Sequence, residues 1–187
     1  MNTANTREPR ALIIFGSPKR DGFTKKLLQK FLDEKGILFS ECAFFDCYQE
    51  DVAPCNDCGL CKTADHCRNS DLNSFFEVFC SVSEIIIATP IYNSSFPSPL
   101  KALLDRSQFC FQARFSKGIK KLIANSKQVH LLLTAGAESD PTDTIVSQIR
   151  PIFTVTSCEL KTVICQCGTD KIPFIKEKIF EVFNFEK

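Results

Sequence analysis

Apolar residues gather in this chain as short continuous runs that alternate with stretches spaced at a helical period. The first run, Ala11-Leu12-Ile13-Ile14-Phe15, is rich in branched side chains and reads as a strand buried on both faces. Behind it, Lys25-Lys26-Leu27-Leu28-Gln29-Lys30-Phe31-Leu32 places apolar residues at i, i+1, i+4 and i+5, one face of a helix that Gly36 ends. Residues 37–45 read as a second strand, closed by Asp46. Ser70 or Asp71 is expected to cap a helix with Leu72, Phe75, Phe76 and Phe79 on one face. Glu84-Ile85-Ile86-Ile87-Ala88 is a third strand, 89–97 a loop, and Leu100, Leu103 and Leu104 open a helix behind Pro97 and Pro99. The spacing predicts a fourth strand over 129–134, a helix over 142–153, a fifth strand over 160–165 and a closing helix over 172–185. The period is poorest over 107–127, which reads as a surface loop and then a short helix holding Leu122 and Ile123.

Strands that alternate with helices imply an α/β fold: a parallel sheet covered on both sides, with right-handed crossovers. The expected strand order is 2-1-3-4-5 within one domain spanning 1–187. A ligand in such a sheet sits at the carboxyl ends of the strands, near the switch between strands 1 and 3. Loops 17–24, 90–95 and 135–138 are expected to converge there.

Composition narrows the function classes. Hydrophobic content of 44% and charged content of 24% fit an ordinary soluble domain, and a net charge of +1 supplies no field for nucleic acid or an anionic membrane. No apolar run reaches the length of a membrane span, and the polar first ten residues precede a run too short for a signal peptide. The expectation is a cytoplasmic protein whose eleven cysteines are thiols or metal ligands rather than disulfides.

Two stretches carry candidate chemistry. Between the first strand and helix, Ser17 and Thr24 flank the glycine-containing turn at Gly22. Hydroxyls and glycines there, with the first amides of the helix and the positive end of its dipole, make an anion site of phosphate size. The chain has neither G-x-x-x-x-G-K-[ST] nor G-x-G-x-x-G, so a single terminal phosphate, as in FMN, fits better than a triphosphate or a dinucleotide. The second stretch is Cys55-x2-Cys58-x2-Cys61-x5-Cys67, in a long polar loop after the second strand. Two consecutive two-residue gaps match the compact runs that hold a [4Fe-4S] cluster; zinc more often uses separated pairs. On spacing, a cluster, zinc and unmetallated thiols, including a redox dithiol at Cys55 and Cys58, all stay open. His66 reads as a solvated loop residue, and Cys42, Cys47, Cys80, Cys110 and Cys158 as buried small apolar residues. Cys165 and Cys167 alternate along the last strand, so they are expected on opposite faces, which argues against a shared metal.

Gly16-Ser17-Pro18-Lys19 with Gly22-Phe23-Thr24 resembles the phosphate loop, usually G-S-P-R-x-x-G-N-T, of the NAD(P)H-dependent FMN reductases. Thr89-Pro90-Ile91-Tyr92 followed by Pro99-Leu100-Lys101-Ala102-Leu103-Leu104-Asp105-Arg106 resembles their S/T-P-I-Y…L-K-x-x-x-D-R segment. That resemblance implies a flavodoxin-like three-layer sandwich and an FMN whose phosphate sits on Ser17, Lys19 and Thr24 about the Gly22 turn. It places the flavin ring against Pro90, Ile91, Tyr92 and Asn93, with Gly136 at the ring's other end. It further implies NAD(P)H as electron donor, a small-molecule or redox-partner acceptor, and a homodimer with the flavin near the interface. The four-cysteine run resembles the iron–sulfur flavoprotein branch, with Cys55, Cys58, Cys61 and Cys67 as the matching ligands. Phe23 stands where the family has asparagine, and Ser98-Pro99 where it often has a small residue and glycine. Arg106 is read as one half of a helix-surface ion pair with Asp105 or another acid. Two rival classes are an electron carrier without nicotinamide chemistry, which the near-zero charge disfavours, and a metal-binding or redox-sensing protein whose thiol loop is the function.

Overall fold

Short β-branched runs flanked by turns become the strands β1 (Ala11–Phe15), β2 (Cys42–Asp46), β3 (Glu84–Pro90), β4 (Lys127–Thr134) and β5 (Cys158–Gln166). The computed structural model describes residues 8–171, so the closing helix expected at 172–185 lies outside the described residues. The strands pair in parallel in the order β2-β1-β3-β4-β5. The strand pleat sorts the apolar runs into two cores. Leu12, Ile14, Ile85, Ile87, Val129, Leu131 and Leu133 face one side, and Ala11, Ile13, Phe15, Ile86, Ala88 and Leu132 the other. Helix α1 (Phe23–Lys35) covers the second side with Leu27, Leu28, Phe31 and Leu32. Helices α2 (Asn73–Ser81), α3 (Ser98–Asp105), α4 (Gln108–Phe115) and α5 (Thr142–Thr156) accompany the first. Each buried aliphatic contributes about 1.5–3 kcal/mol, so burial on the two faces is the main favourable term holding the sheet.

Helix α1 ends where the sequence says it should. Gly36 takes a left-handed φ of 61°, and the Ile37 amide reaches back to the Leu32 carbonyl at 2.9 Å. The second strand, however, begins at Cys42 rather than at residue 37. Residues Phe39–Glu41 form a 3-10 turn, whose Glu41 amide and carboxylate both bond Leu38, and that local bonding replaces strand pairing. In the stretch 107–127 the helix comes early, as α4, and Leu122 and Ile123 lie in the irregular chain after it. The buried residues of α4 are Cys110, Gln112 and Ala113, small or polar, while the conspicuous Phe111 and Phe115 are exposed, and this hides its period.

β4 starts two residues before its apolar run, at the fully buried Lys127. The Lys127 ammonium donates to the carbonyls of Val82 (2.8 Å) and Cys80 (3.2 Å), at the carboxyl end of α2. A cation there satisfies carbonyls that the helix leaves open and meets the negative end of its dipole. Of the scattered cysteines, Cys47 and Cys110 are buried as expected. Cys42 and Cys158 are only half-buried and Cys80 is exposed, because an edge strand, a strand start and a helix end leave them partly uncovered.

Candidate functional site

The carboxyl ends of β1, β3 and β4 open into one cavity of about 590 Å³, within the usual range for a small-molecule or cofactor site. Ser17, Lys19, Gly22, Thr24, Pro90, Ile91, Tyr92, Asn93 and Gly136 all line it. At its polar end, no side chain caps α1, and the first helical amide to find a carbonyl is that of Lys26, on Gly22. The amides of Thr24 and Lys25 precede it and face the loop with the positive end of the dipole. Ser17 is buried, and its hydroxyl accepts the Lys19 amide at 3.3 Å, which shapes the turn. A Cβ on Gly22 would lie 2.9 Å from the Lys19 Cβ, so glycine is what lets the loop close on itself. Arg20 bridges to Asp46 at the end of β2, and Asp46 also accepts the Tyr48 amide at 2.9 Å. That pair ties the loop to the neighbouring strand.

The wall after β3 is a tight turn. The amides and carbonyls of Tyr92 and Ser95 exchange hydrogen bonds at 3.0 and 2.9 Å, with Asn93 and Ser94 both left-handed at φ 51° and 57°. Two left-handed residues make a type I′ turn, a conformation Asn tolerates. Gln148 on α5 fixes it through Ser95 Oγ and the Ser94 carbonyl, both at 2.9 Å. Tyr92 projects with 43% of its surface exposed, over the cavity rather than into the core.

A fourth wall was not expected from the sequence. Thr169 and Asp170, just past β5, also line the cavity, with Thr134 and Ala137. The amides of Gly168 and Thr169 donate to the carbonyls of Ala137 (2.7 Å) and Ala135 (3.0 Å), zipping this segment onto the loop after β4. The Asp170 carboxylate occupies the space a side chain at Gly136 would need. Glycine at 136 lets this carboxylate lie close against the backbone; a side chain there would require Asp170 to swing away. No motif marks Thr169 or Asp170; only the rule that ligands collect at strand carboxyl ends points to them.

The donor set fits FMN: amides, hydroxyls and Lys19 at the phosphate end, and backbone with an aromatic at the ring end. Thr24 lies buried with its hydroxyl 2.8 Å from that of Thr134, and both line the cavity. Thr24→Val is expected to weaken FMN binding by about 1–2 kcal/mol, a factor of about 5–30, the size of a hydrogen bond to a charged group. It also leaves Thr134 without this partner. A flavin-fluorescence titration measures the loss, and unchanged affinity removes Thr24 from the phosphate set.

Cys55, Cys58, Cys61 and Cys67 line a second, smaller cavity with Arg106, Gln108 and Phe109, and it shares no lining residue with the first. Left-handed Asp57 (φ 49°) and Gly59 (φ 75°) reverse the chain between the thiols. The run rests on α4 at its 3-10 turn, Leu60–Lys62. Lys117 holds its far side through the Ala64 carbonyl (2.7 Å) and Asp65. Burial pushes the Cys61 thiol up against a backbone hydrogen bond that lowers it, and the neighbouring Cys55, Cys58 and Cys67 add to the rise. Tetrahedral zinc, with Zn–S of about 2.3 Å, needs its thiolates about 3.8 Å apart. Among the described residues no three of these four sulfurs lie within 4.8 Å of one another, so the loop as it stands is more open than the tight set one zinc ion needs.

Arg106 is not the surface residue the sequence suggests. It is 2% exposed, donates to the carbonyls of Ala53 and Asn69 (both 2.8 Å) and to Asp71 Oδ2 (2.9 Å), and sits in ion-pair contact with Asp71 Oδ1 at 2.8 Å. Asp71 also accepts the Ala53 amide, at 3.0 Å. It is therefore spent on the latch; α2 instead begins after Leu72 with no side-chain cap. The neighbouring Asp105 pairs with Lys101 on the surface. Arg106 thus closes both ends of the cysteine loop.

Comparison with known proteins agrees with this geometry. A 33% identical relative over 107 residues is named iron–sulfur flavoprotein, from Methanosarcina thermophila, covering 55% of this chain and 54% of that protein. Another of that name, from Methanocaldococcus jannaschii, is 26% identical over 148 residues, covering 77% and 71%. The chain spans about half the length of the first of these and of the corresponding Archaeoglobus fulgidus protein, at 54% and 48%. Among solved structures, an NAD(P)H:quinone oxidoreductase from Methanothermobacter marburgensis shares the fold with a TM-score of 0.62 at 16% identity, over 88% of this chain and 85% of that one. The family model described as NADPH-dependent FMN reductase matches residues 9–166. The chain belongs to the NADPH-dependent FMN reductase family.

Proposed function

We propose that the protein is an FMN-dependent oxidoreductase that takes electrons from NADH or NADPH and passes them to a flavin, a quinone or a redox partner. The observation that carries this reading is the cavity that joins an uncapped helix N-terminus and hydroxyls at one end to the Pro90–Asn93 wall at the other, in a chain of this family. FMN supplies the hydride and single-electron chemistry when bound. The chain's own part is to bind the phosphate at Ser17, Lys19 and Thr24, to hold the ring edge against the peptide groups of Pro90 to Asn93, and to leave one side open to a nicotinamide. Tyr92, exposed at that opening, is placed to border an incoming ring. Amides of the Gly136 loop and the Lys19 ammonium are the donors available to a developing negative charge.

Cys55, Cys58, Cys61 and Cys67 are the proposed ligands of a [4Fe-4S] cluster, supported by their shared cavity, their compact spacing in the sequence and the names of the curated relatives. A cluster adds one-electron transfer to an external partner. The family resemblance further supports a homodimer.

Anaerobic mixing of the flavin-loaded protein with NADH and with NADPH tests the assignment. The oxidised-flavin absorbance is expected to bleach with at least one of them within a turnover of ordinary enzymes, about 1–1000 per second. Failure of both nucleotides at millimolar concentration moves the electron-carrier reading ahead.

A further inference from the structure

We infer that Asp140, Cys165 and Cys167 form a zinc site at the rim of the sheet, separate from the cysteine loop. The alternation along β5 predicted that the two cysteines point apart. The strand instead ends at Gln166, so Cys167 lies beyond the pleat, and Gly168 at φ 69° turns the chain back. The two sulfurs come to 3.5 Å, and the ligand atoms of Asp140, Cys165 and Cys167 all lie within 4.8 Å of one another. Two thiolates on one tetrahedral zinc are about 3.8 Å apart, from a Zn–S distance of about 2.3 Å.

The third member favours a metal over a simple thiol pair. Asp140 Oδ1 accepts both the amide (2.8 Å) and the hydroxyl (2.5 Å) of Thr142, the first residue of α5. Those bonds orient the carboxylate and leave its other oxygen available, the arrangement that supports a ligating acid. A mixed sulfur and oxygen set suits zinc, whereas copper(I) prefers sulfur alone. Asp140 is exposed and the cysteines are half-buried, so an ion reaches the site from solvent. Three protein ligands leave the fourth position to water.

The consequence is local. Asp140 leads into α5 and Cys167 into Gly168, Thr169 and Asp170, so zinc would staple the loop after β4 to the cavity wall after β5. The inference does not depend on which cofactor the cavity holds.

The loop thiols compete for metal, so the cleanest probe is a chain carrying C55S, C58S, C61S and C67S, titrated with cobalt(II) as a visible stand-in for zinc. About one cobalt per chain is expected, with thiolate charge-transfer bands. Adding C165S and C167S is expected to abolish those bands, and Thr142→Val to weaken binding by about 10–100-fold, the cost of losing an outer partner of a ligand. In the unsubstituted chain, zinc is expected to protect Cys165 and Cys167 from alkylation, read by peptide mapping, and this arm decides the question if the multiple variant does not fold. Cobalt bands that survive C165S/C167S, or equal alkylation of both cysteines with and without zinc, overturn the site. So does a Cys165–Cys167 disulfide that forms in place of metal uptake.

Discussion

Replacing Arg106 with leucine is expected to destabilise the protein by about 3 kcal/mol and to free the whole cysteine loop. Removing one partner of a buried ion pair costs about 3–5 kcal/mol, because the other charge and its acceptors are left without their donor. Here Asp71 keeps 26% of its side chain in solvent, which puts the loss at the low end. The carbonyls of Ala53 and Asn69 lose a charged donor as well. Chemical denaturation reads the first effect, and protease cleavage between residues 47 and 69 the second. Arg106→Lys should recover little, since a single ammonium does not span three acceptors as the planar fork does. The contrast is with Asp105→Asn, one residue earlier. Its pair with Lys101 is about half exposed on both sides and should change stability by under about 0.5 kcal/mol. Equal, small effects at 105 and 106 would return Arg106 to the helix surface.

The same latch sets an acid limit. The Arg106 guanidinium holds the Asp71 carboxyl below its ordinary value, and the Ala53 amide adds to this. A depressed carboxyl contributes stability that is full above its unfolded value, about 3.9, and is lost as pH falls through the lowered folded value. The loop should therefore stay docked through mildly acidic solution.

What sequence could reveal here follows from range. Strands β1, β3 and β4 sit in the middle of a parallel sheet, buried on both faces, so their identity is written in consecutive residues. The helix stop at Gly36 is likewise a local matter of φ. The phosphate loop and the turn at Asn93 are short segments whose chemistry is contained within them, and all nine expected lining residues meet in one cavity. Failures came where a residue's partner is distant in the chain. Arg106 and Asp71 are 35 positions apart, and nothing near either predicts the other; Asp71 looked like a cap because that is what an aspartate before a helix usually is. Thr169 and Asp170 reach the cavity only because β5 lies beside β4. Cys165 and Cys167 were read by the pleat of a strand that stops between them. Lys127, fully buried, broke the apolar run that marks β4, and its compensation lies on the carbonyls of α2.

Anaerobically prepared protein is expected to carry about four irons and four sulfides per chain, and Cys58→Ala to lose all of them while keeping FMN. Retention of flavin follows from the two cavities having no residue in common. The fate of the loop is more informative than its loss of iron. Arg106 anchors the chain at Ala53 and Asn69, and Lys117 at Ala64, so these points should survive without a cluster. New protease cleavage in Cys58→Ala is then confined to the span between Ala53 and Ala64, which holds Cys55, Cys58 and Cys61. In Arg106→Leu, cleavage extends across the loop. If cleavage in Cys58→Ala instead reaches residues 65–69, the cluster and not the arginine organises the loop. Colourless protein with one zinc would make the four cysteines a structural staple. Protein with no metal and four free thiols would leave a flavin reductase whose cysteine loop is held by Arg106 and Lys117.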